Sequence, residues 1–271
     1  MQSVRLVFHS GAGFTTEPLP LRMPQASGVI DPEPFRARAR GEGDALIEPY
    51  ALSSGMRVFY AESAGALPLC EVSGALLSFV ISGNITILAA TGERVTFIPG
   101  DLFLVDADAP RDTRAMVGEE CRLVQVGVDA EWPGARARPP RQGSTHPRGS
   151  LPCNLKRMYK GADAKSRFRE FDALFDEQGH WSRFRPIIGL RFIGMAADTF
   201  IDWHPEIVNN FVIVLSGALE LEVGGGDGAV EIFREGDICL AEDRTGEGHI
   251  DRTHGHVQVA VLILEDEALW P

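Results

Sequence analysis

The chain has few cysteines, and none of them lie in a motif. Cys70, Cys121, Cys153 and Cys239 are scattered over 271 residues without a C-x-x-C pair, which excludes a zinc knuckle or a thioredoxin-like redox motif and leaves buried free thiols. Long apolar runs are missing too. No stretch approaches the roughly 18 continuous apolar residues of a membrane span. Basic residues are in short supply, with 26 Lys and Arg against 38 Asp and Glu, a formal charge of -12. That balance excludes a general nucleic-acid binder, which needs a basic face to neutralise phosphates. There is no Gly-x-Ser-x-Gly elbow and no Gly-rich loop followed by Lys-Ser or Lys-Thr, so neither a serine hydrolase nor a phosphate loop is signalled. The opening residues Met1 to Ser10 lack the apolar core and cleavage site of a signal peptide, so a cytoplasmic location is the expectation.

What is present is an ordinary globular composition, 44% apolar and 24% charged, on a chain long enough for two domains. Residues 1–132 and 153–271 read as those domains. Between them, residues 133–152 hold many Pro, Gly and Arg residues and no apolar period, the character of a connector. The first 50 residues carry Pro18, Pro20, Pro24, Pro32, Pro34 and Pro49, so the expectation there is short strands and loops wrapped over a barrel rather than helix. Within them Phe35 to Arg40 is a short basic run expected on a solvated surface.

From Arg57 onward the pattern is β. Arg57–Tyr60, Ala75–Ile81, Ile85–Leu88, Arg94–Ile98, Asp101–Val105 and Cys121–Val128 are β-branched or aromatic runs separated by turn residues, the spacing of an all-β sandwich or barrel. The second half repeats the style in Ile187–Met195, Phe200–Trp203, 207–215, Ala218–Val223, Val230–Phe233, Ile238–Ala241 and Val257–Leu264. Ser166 to Glu177 is two-sided: Phe168, Phe171, Leu174 and Phe175 favour a helical turn or two, with a strand and loop as the alternative. Ser216-Gly217 and Ser82-Gly83-Asn84 read as turns.

The two halves can be laid over each other. Phe79-Val-Ile-Ser-Gly83 followed by Pro99-Gly-Asp-Leu-Phe-Leu-Val105 answers Ile213-Val-Leu-Ser-Gly217 followed by Glu235-Gly-Asp-Ile-Cys-Leu-Ala241. The glycine-to-glycine gaps of 17 and 19 residues differ by one longer hairpin loop, Gly224 to Gly228. A strand ending in Ser-Gly, a hairpin, then Gly-Asp and a later histidine resembles the cupin superfamily, and two copies resemble bicupins. The second half, with Lys156-Arg-Met-Tyr-Lys-Gly-Ala-Asp, Asp202-Trp-His-Pro and Leu240 to His249, is similar to small stand-alone bacterial cupins of undefined function. The resemblance implies two tandem jelly-roll barrels and leaves activity open, because that superfamily spans dioxygenases, isomerases, decarboxylases, binding proteins and storage proteins.

In an extended strand His204, Glu206 and Asn210 share one face, and a neighbouring strand brings His249. On the metal positions of the cupin pattern fall His204, Glu206 in place of a second histidine, Asn210 in place of a glutamate, and His249. The resemblance therefore implies a divalent Fe, Mn, Ni or Zn held by His204, Glu206 and His249, with Asn210 adding a weak oxygen, or else an emptied barrel in which the histidines bond a carboxylate. Without metal, Glu206 as base and His249 as acid would serve an isomerase or lyase. Val212, His256 and Gln258 are added as pocket residues, His254 to His256 reading otherwise as a surface turn. Trp203 and Phe211 fall on the opposite face. The first half has Cys70, Val72 and Leu76 at the corresponding positions and cannot bind metal this way. The expectation is a small-molecule enzyme acting in the second barrel, or else a ligand-binding or structural bicupin, with a small-molecule partner and a homo-oligomer as an option.

Overall fold

The computed structural model describes residues 1–8, 13–19, 21, 23–42, 51–69, 74–89, 91–106, 109, 114–129 and 152–265. In chain order the elements are β1 Ser3–Phe8, β2 Phe14–Pro18, β3 Gln25–Ala26, β4 Val29–Ile30, α1 Glu33–Ala39, β5 Ala51–Ala61, β6 Gly65–Pro68 and β7 Ala75–Ser82. They continue with β8 Ile85–Leu88, β9 Arg94–Phe97, β10 Leu102–Val105, β11 Arg114–Val117 and β12 Cys121–Val128. The rest are β13 Leu155–Lys160, β14 Ser166–Glu170, a 3-10 turn Asp172–Phe175, β15 Ile187–Met195, β16 Phe200–His204, β17 Asn210–Val223, β18 Ala229–Phe233, β19 Ile238–Ala241 and β20 His249–Leu264. The expected all-β fold is what forms. Residues 133–151 of the connector, with His146, lie outside the described residues, as do His9, Cys70 and Val72.

The chain makes two compact units. One holds the described residues of Met1–Arg22, Ala51–Arg141 and Ala173–Ile187, the other those of Met23–Tyr50, Gln142–Asp172 and Ile188–Pro271. Neither unit is one continuous half of the sequence. Each takes a segment from the other half, which a boundary at 133–152 does not anticipate.

In the first unit β2, β1, β10, β7, β12 and β5 lie side by side, and β6, β11, β8 and β9 make a second sheet. Leu6, Phe59, Leu67, Ile85, Phe97, Phe103 and Leu123 fill the space between as one apolar cluster. The late segment docks along β5: Arg185 and Met56 exchange backbone hydrogen bonds of 2.7 and 2.8 Å, and the Trp181 indole donates to the Pro68 carbonyl at 3.1 Å.

The second unit has two layers because two long strands run through both. The first part of β17 pairs with β19 and with the last part of β20, from Asn210↔Ile263 to Ser216↔Gln258. The last part of β17 pairs with β18 and with the first part of β20, from Ala218↔His254 to Val223↔His249. β13 and β14 extend the first layer beyond β19, while β16 and β4 extend the second beyond β20. Where the layers meet, the register shifts on both sides of Ser216. Gly217 sits at φ +81°, so Ser216-Gly217 is a bulge inside one continuous strand and not the expected turn. The bulge also changes which parity faces inward: Val214 shares an apolar cluster with Leu219, Leu221 and Val223.

Two further expectations are corrected. Pro32 and Pro34 stand at the start of α1, where a missing N–H costs nothing, so a helix forms over a run whose prolines predict loops and short strands. Ser166–Glu170 is a strand paired with β13 and only Asp172–Phe175 is helical, because the pairing supplies backbone partners that a short isolated helix could not.

The repeat seen in the sequence is a repeat of hydrogen bonds. Leu102 faces Phe79 in the first unit and Ile238 faces Ile213 in the second, the same register. Asp101 accepts from the amides of Ile98 and Gln2, and Asp237 accepts from those of Arg234 and Asn154. Val80 and Val214 each donate to the backbone oxygen of that aspartate at 3.0 Å.

A Cβ added at Gly217 would lie 2.2 Å from the His256 carbonyl oxygen, whereas one at Gly226, also at positive φ, meets nothing within 4 Å. Gly217→Ala is therefore expected to lose more stability than Gly226→Ala, by about 1–3 kcal/mol, in urea unfolding followed by circular dichroism.

Candidate functional site

The second unit contains a cavity of about 180 Å³ whose wall is mostly Met, Ile, Leu and Val side chains, with Arg191 and a polar cluster made by His204, Glu206, Asn210, His249 and Asp251. Strand pairing assembles that cluster. β16 and β20 run antiparallel with His204 directly opposite His249, and their imidazole centroids lie 4.5 Å apart. Two residues along β20, Asp251 points to the same face as His249. Pro205 ends β16, so Glu206 projects from the following loop, and Asn210 opens β17. The single-strand face expected for His204, Glu206 and Asn210 is thus not what gathers them. Three different elements do.

Small residues create the space. Cys239 and Ala241 line the cavity where the first unit has, at the matching positions of β10, Phe103 and Val105, both fully buried in its core. Phe103 stacks on Phe97 there, with centroids 4.6 Å apart. Leu76, which answers Asn210, is buried as well.

Each histidine is held by its Nδ1. His204 Nδ1 lies 3.0 Å from the Asp202 carbonyl oxygen, which makes Nδ1–H the donor and leaves Nε2 with its lone pair. His249 Nδ1 donates to Asp243 Oδ2 at 2.9 Å, and the same carboxylate accepts from the Ser166 hydroxyl at 2.7 Å. Both Nε2 atoms face Asp251, from His204 at 3.9 Å and from His249 at 3.3 Å. Glu206 Oε1 lies 3.9 Å from His249 Nε2, and its other oxygen accepts from Asn210 at 3.1 Å. Asn210 Oδ1 is buried and has no hydrogen-bond partner among the described residues.

Burial and charge set the protonation states. Burial pushes His204 below its usual value, with the His249 charge adding to this and Asp251 opposing it. Burial would lower His249 too, yet Asp243 and Asp251 outweigh it and hold the imidazolium well above 6.5. Asp251 is raised by burial but more strongly lowered by His249. Burial, reinforced by the charges of Asp243 and Asp251, lifts Glu206 to about 7.

Of the residues expected at the site, the structure brings together His204, Glu206, Asn210, Val212 and His249. His256 is exposed, in a bulge of β20 around Gly255 at φ +79°, and Gln258 bonds the Ser216 hydroxyl away from the cavity. The expected surface turn at His254 to His256 is strand, widened by that bulge. Phe211 packs on Phe171 outside the cavity.

Asp251, Asp243, Arg191 and Phe35 were not anticipated. Asp251 carried a readable signal, lying two residues after His249 in the same strand. Phe35 of α1 lines the cavity and meets the His204 ring edge-on at 4.7 Å, while Arg36 donates to the Trp203 carbonyl at 2.8 Å. Its contribution from 169 positions away left no local trace.

No protein-family model matches the chain, and no curated protein matches it. Among solved structures, a cupin 2 conserved barrel domain protein from Leptotrichia buccalis is similar at 11% identity and a TM-score of 0.40, over 83% of this chain and 93% of that one. A protein of unknown function from Pseudomonas syringae pv. tomato str. DC3000, of the DUF861 family, is similar at 14% identity and a TM-score of 0.37, over 97% and 100%. A variant of Bacillus subtilis oxalate decarboxylase is similar at 12% identity and a TM-score of 0.30, over 81% and 73%. Likenesses at this level assign the chain neither a family nor an activity.

The Glu206 carboxyl, lifted to about 7, makes the folded state bind more protons than the unfolded state between its ordinary value near 4.5 and about 7. Its contribution to stability therefore falls as pH rises through that window. Glu206→Gln is expected to raise the stability of metal-free protein at pH 8 by about 1–3 kcal/mol more than at pH 5, measured by urea unfolding.

Proposed function

We propose that the second unit is a divalent-metal centre for small-molecule chemistry, with His204, His249 and Asp251 as its protein ligands. The observation that carries this reading is the pair of imidazoles tied back through Nδ1, which leaves both Nε2 atoms converging on one carboxylate. One ligand atom from each of the three residues lies within 4.8 Å of the others, a spread that a modest inward movement closes around an ion. Orientation of a metal-binding histidine by a carboxylate or carbonyl on its other nitrogen is the usual supporting arrangement, here Asp243 for His249 and the Asp202 carbonyl for His204. Two histidines and one carboxylate with further positions open suit Fe(II) or Mn(II), and Zn(II) or Ni(II) are compatible with the same donors. The expected set of His204, Glu206 and His249 thus gains Asp251, and Glu206 becomes a fourth candidate donor or a proton carrier.

A bound ion would polarise a carbonyl or enediol oxygen or activate oxygen. The chain supplies the rest. Glu206, poised near neutral pH, can take up or release a proton beside the ligand, and the unpartnered Asn210 oxygen can accept from a substrate hydroxyl or bound water. The wall is largely apolar, and a cavity of about 180 Å³, below the roughly 300–1,000 Å³ of drug-sized sites, limits the reacting part to a few heavy atoms. The shared registers of the two units support reading them as duplicated cupin-type barrels, the first filled by phenylalanine and the second open.

Protein purified without a nickel column should carry about one transition metal per chain by elemental analysis, lost in His204→Ala and in Asp251→Asn. Asp243→Asn should weaken metal binding by about 10–100-fold without removing a ligand. Because His249 must shed its proton to bind the ion, affinity should rise with pH from 6 to 8. Protein that takes up no metal, and whose ligand binding is indifferent to Glu206→Gln, would favour a non-catalytic binding barrel instead.

A further inference from the structure

The polar cluster of the cavity is gathered at one end of it. His204 closes β16, Asn210 opens β17, His249 and Asp251 lie at the start of β20, and Glu206 stands in the loop between β16 and β17. Both long strands run from that end to the corner at Ser216-Gly217 and back again. Toward the corner the wall is Leu219, Leu221, Val259 and Val261, and Val214 and Val257 share their apolar cluster. The corner's own polar pair is closed on itself, with the Ser216 hydroxyl donating to Gln258 Oε1 at 3.1 Å. Arg191 is the further polar side chain on the wall, and it is itself engaged. The cavity is therefore amphipathic along its length, with donors and acceptors at one end and hydrocarbon toward the other.

Its size sets that of its occupant. An apolar cavity of about 150 Å³ accommodates benzene, so one of about 180 Å³ has room for a single small ring and little more. A hydroxyl turned toward Leu219 or Val259 would lose its water partners and gain none, which penalises a sugar or a polyol. One oxygen at the other end is well received. Asn210 Oδ1 is buried there without a hydrogen-bond partner among the described residues, a ready acceptor for a hydroxyl. The first unit shows how the hydrocarbon end is lost: Phe103, fully buried, occupies the strand position that Cys239 holds in the second.

We propose that the cavity takes a compact molecule with one oxygen-bearing head and a benzene-sized apolar body, the head at His204, Asn210 and His249 and the body against Leu219 and Val259. This names the ligand class of the metal centre proposed above and rests on that reading for the head's contact with an ion. The place of the body rests on the wall alone.

The test uses full-length protein, metal-free and Mn(II)-loaded, titrated by calorimetry with cyclohexanol and with inositol, the same ring carrying a hydroxyl on every carbon. Saturable cyclohexanol binding, tighter than that of inositol by about tenfold or more, is expected in both forms and is tighter in the Mn(II) form. Cys239→Phe fills the hydrocarbon end and should weaken cyclohexanol by about tenfold or more, with Mn(II) uptake and the circular-dichroism spectrum as in the parent. Val259→Ala enlarges that end and should move the preference toward methylcyclohexanol, which decides the matter if the bulkier substitution fails to fold. Inositol bound as tightly as cyclohexanol, or cyclohexanol binding indifferent to both substitutions, overturns the ligand class. A cyclohexanol affinity that bound Mn(II) leaves unchanged overturns the placement of the head. Cyclohexanol binding that Cys239→Phe abolishes, in a protein that takes up no Mn(II), leaves the class standing and overturns the metal centre; Mn(II) uptake with no cyclohexanol binding does the reverse.

Discussion

Placing the ionisable groups of His204, Glu206, His249 and Asp251 in a largely hydrocarbon-walled cavity, with Asp243 buried behind them, is the constraint on which the second unit depends. A buried charge is costly unless it is paired and hydrogen-bonded, and here the pairing is distributed. Asp243 and Asp251 flank His249, Ser166 satisfies one oxygen of Asp243, and Asn210 holds Glu206. The arrangement needs β16 and β20 in one register only. A slip of a single residue would turn His249 out of the cavity and bring Ile250 in, so the polar cluster and the strand pairing specify each other.

The comparison of the two units shows how little has to change for a filled interior to become an open one. The corner aspartates Asp101 and Asp237 and their amide partners are common to both, and the registers agree residue for residue. Phe103 against Cys239, Val105 against Ala241 and Leu76 against Asn210 make the difference: bulk on one side, space and a polar group on the other. A framework of backbone hydrogen bonds tolerates either filling, because the corner holds the strands whatever faces inward.

Much of this could be read in the sequence. Strand character came from β-branched alternation, and the duplicated Ser-Gly and Gly-Asp signals stand where the strand pairings of the two units correspond. His204 and His249 were singled out together. What escaped has identifiable causes. Ser216-Gly217 looks like a turn because a glycine at positive φ serves a turn and a bulge equally well. Pro32 and Pro34 look like breakers because their effect depends on whether they stand inside a helix or at its start. Asp251 shares the face of His249 by parity but lies beyond the final histidine of the motif, so the motif itself does not include it. The exchange of residues 23–50 and 173–187 between units leaves no periodicity at all, since it is a matter of which distant strand accepts a short one.

That exchange bears on how the chain matures as it leaves the ribosome. The portion that carries Phe35 is synthesised early, yet the residues of β15 and β16 that its strands pair with lie 169 to 171 positions later. Conversely, β5 waits for Trp181 and Arg185 before its edge is covered. Neither unit can finish while the nascent polypeptide is half made. The first 130 residues must therefore persist for a time with an open strand edge, a state in which chaperone capture or intermolecular pairing competes with completion.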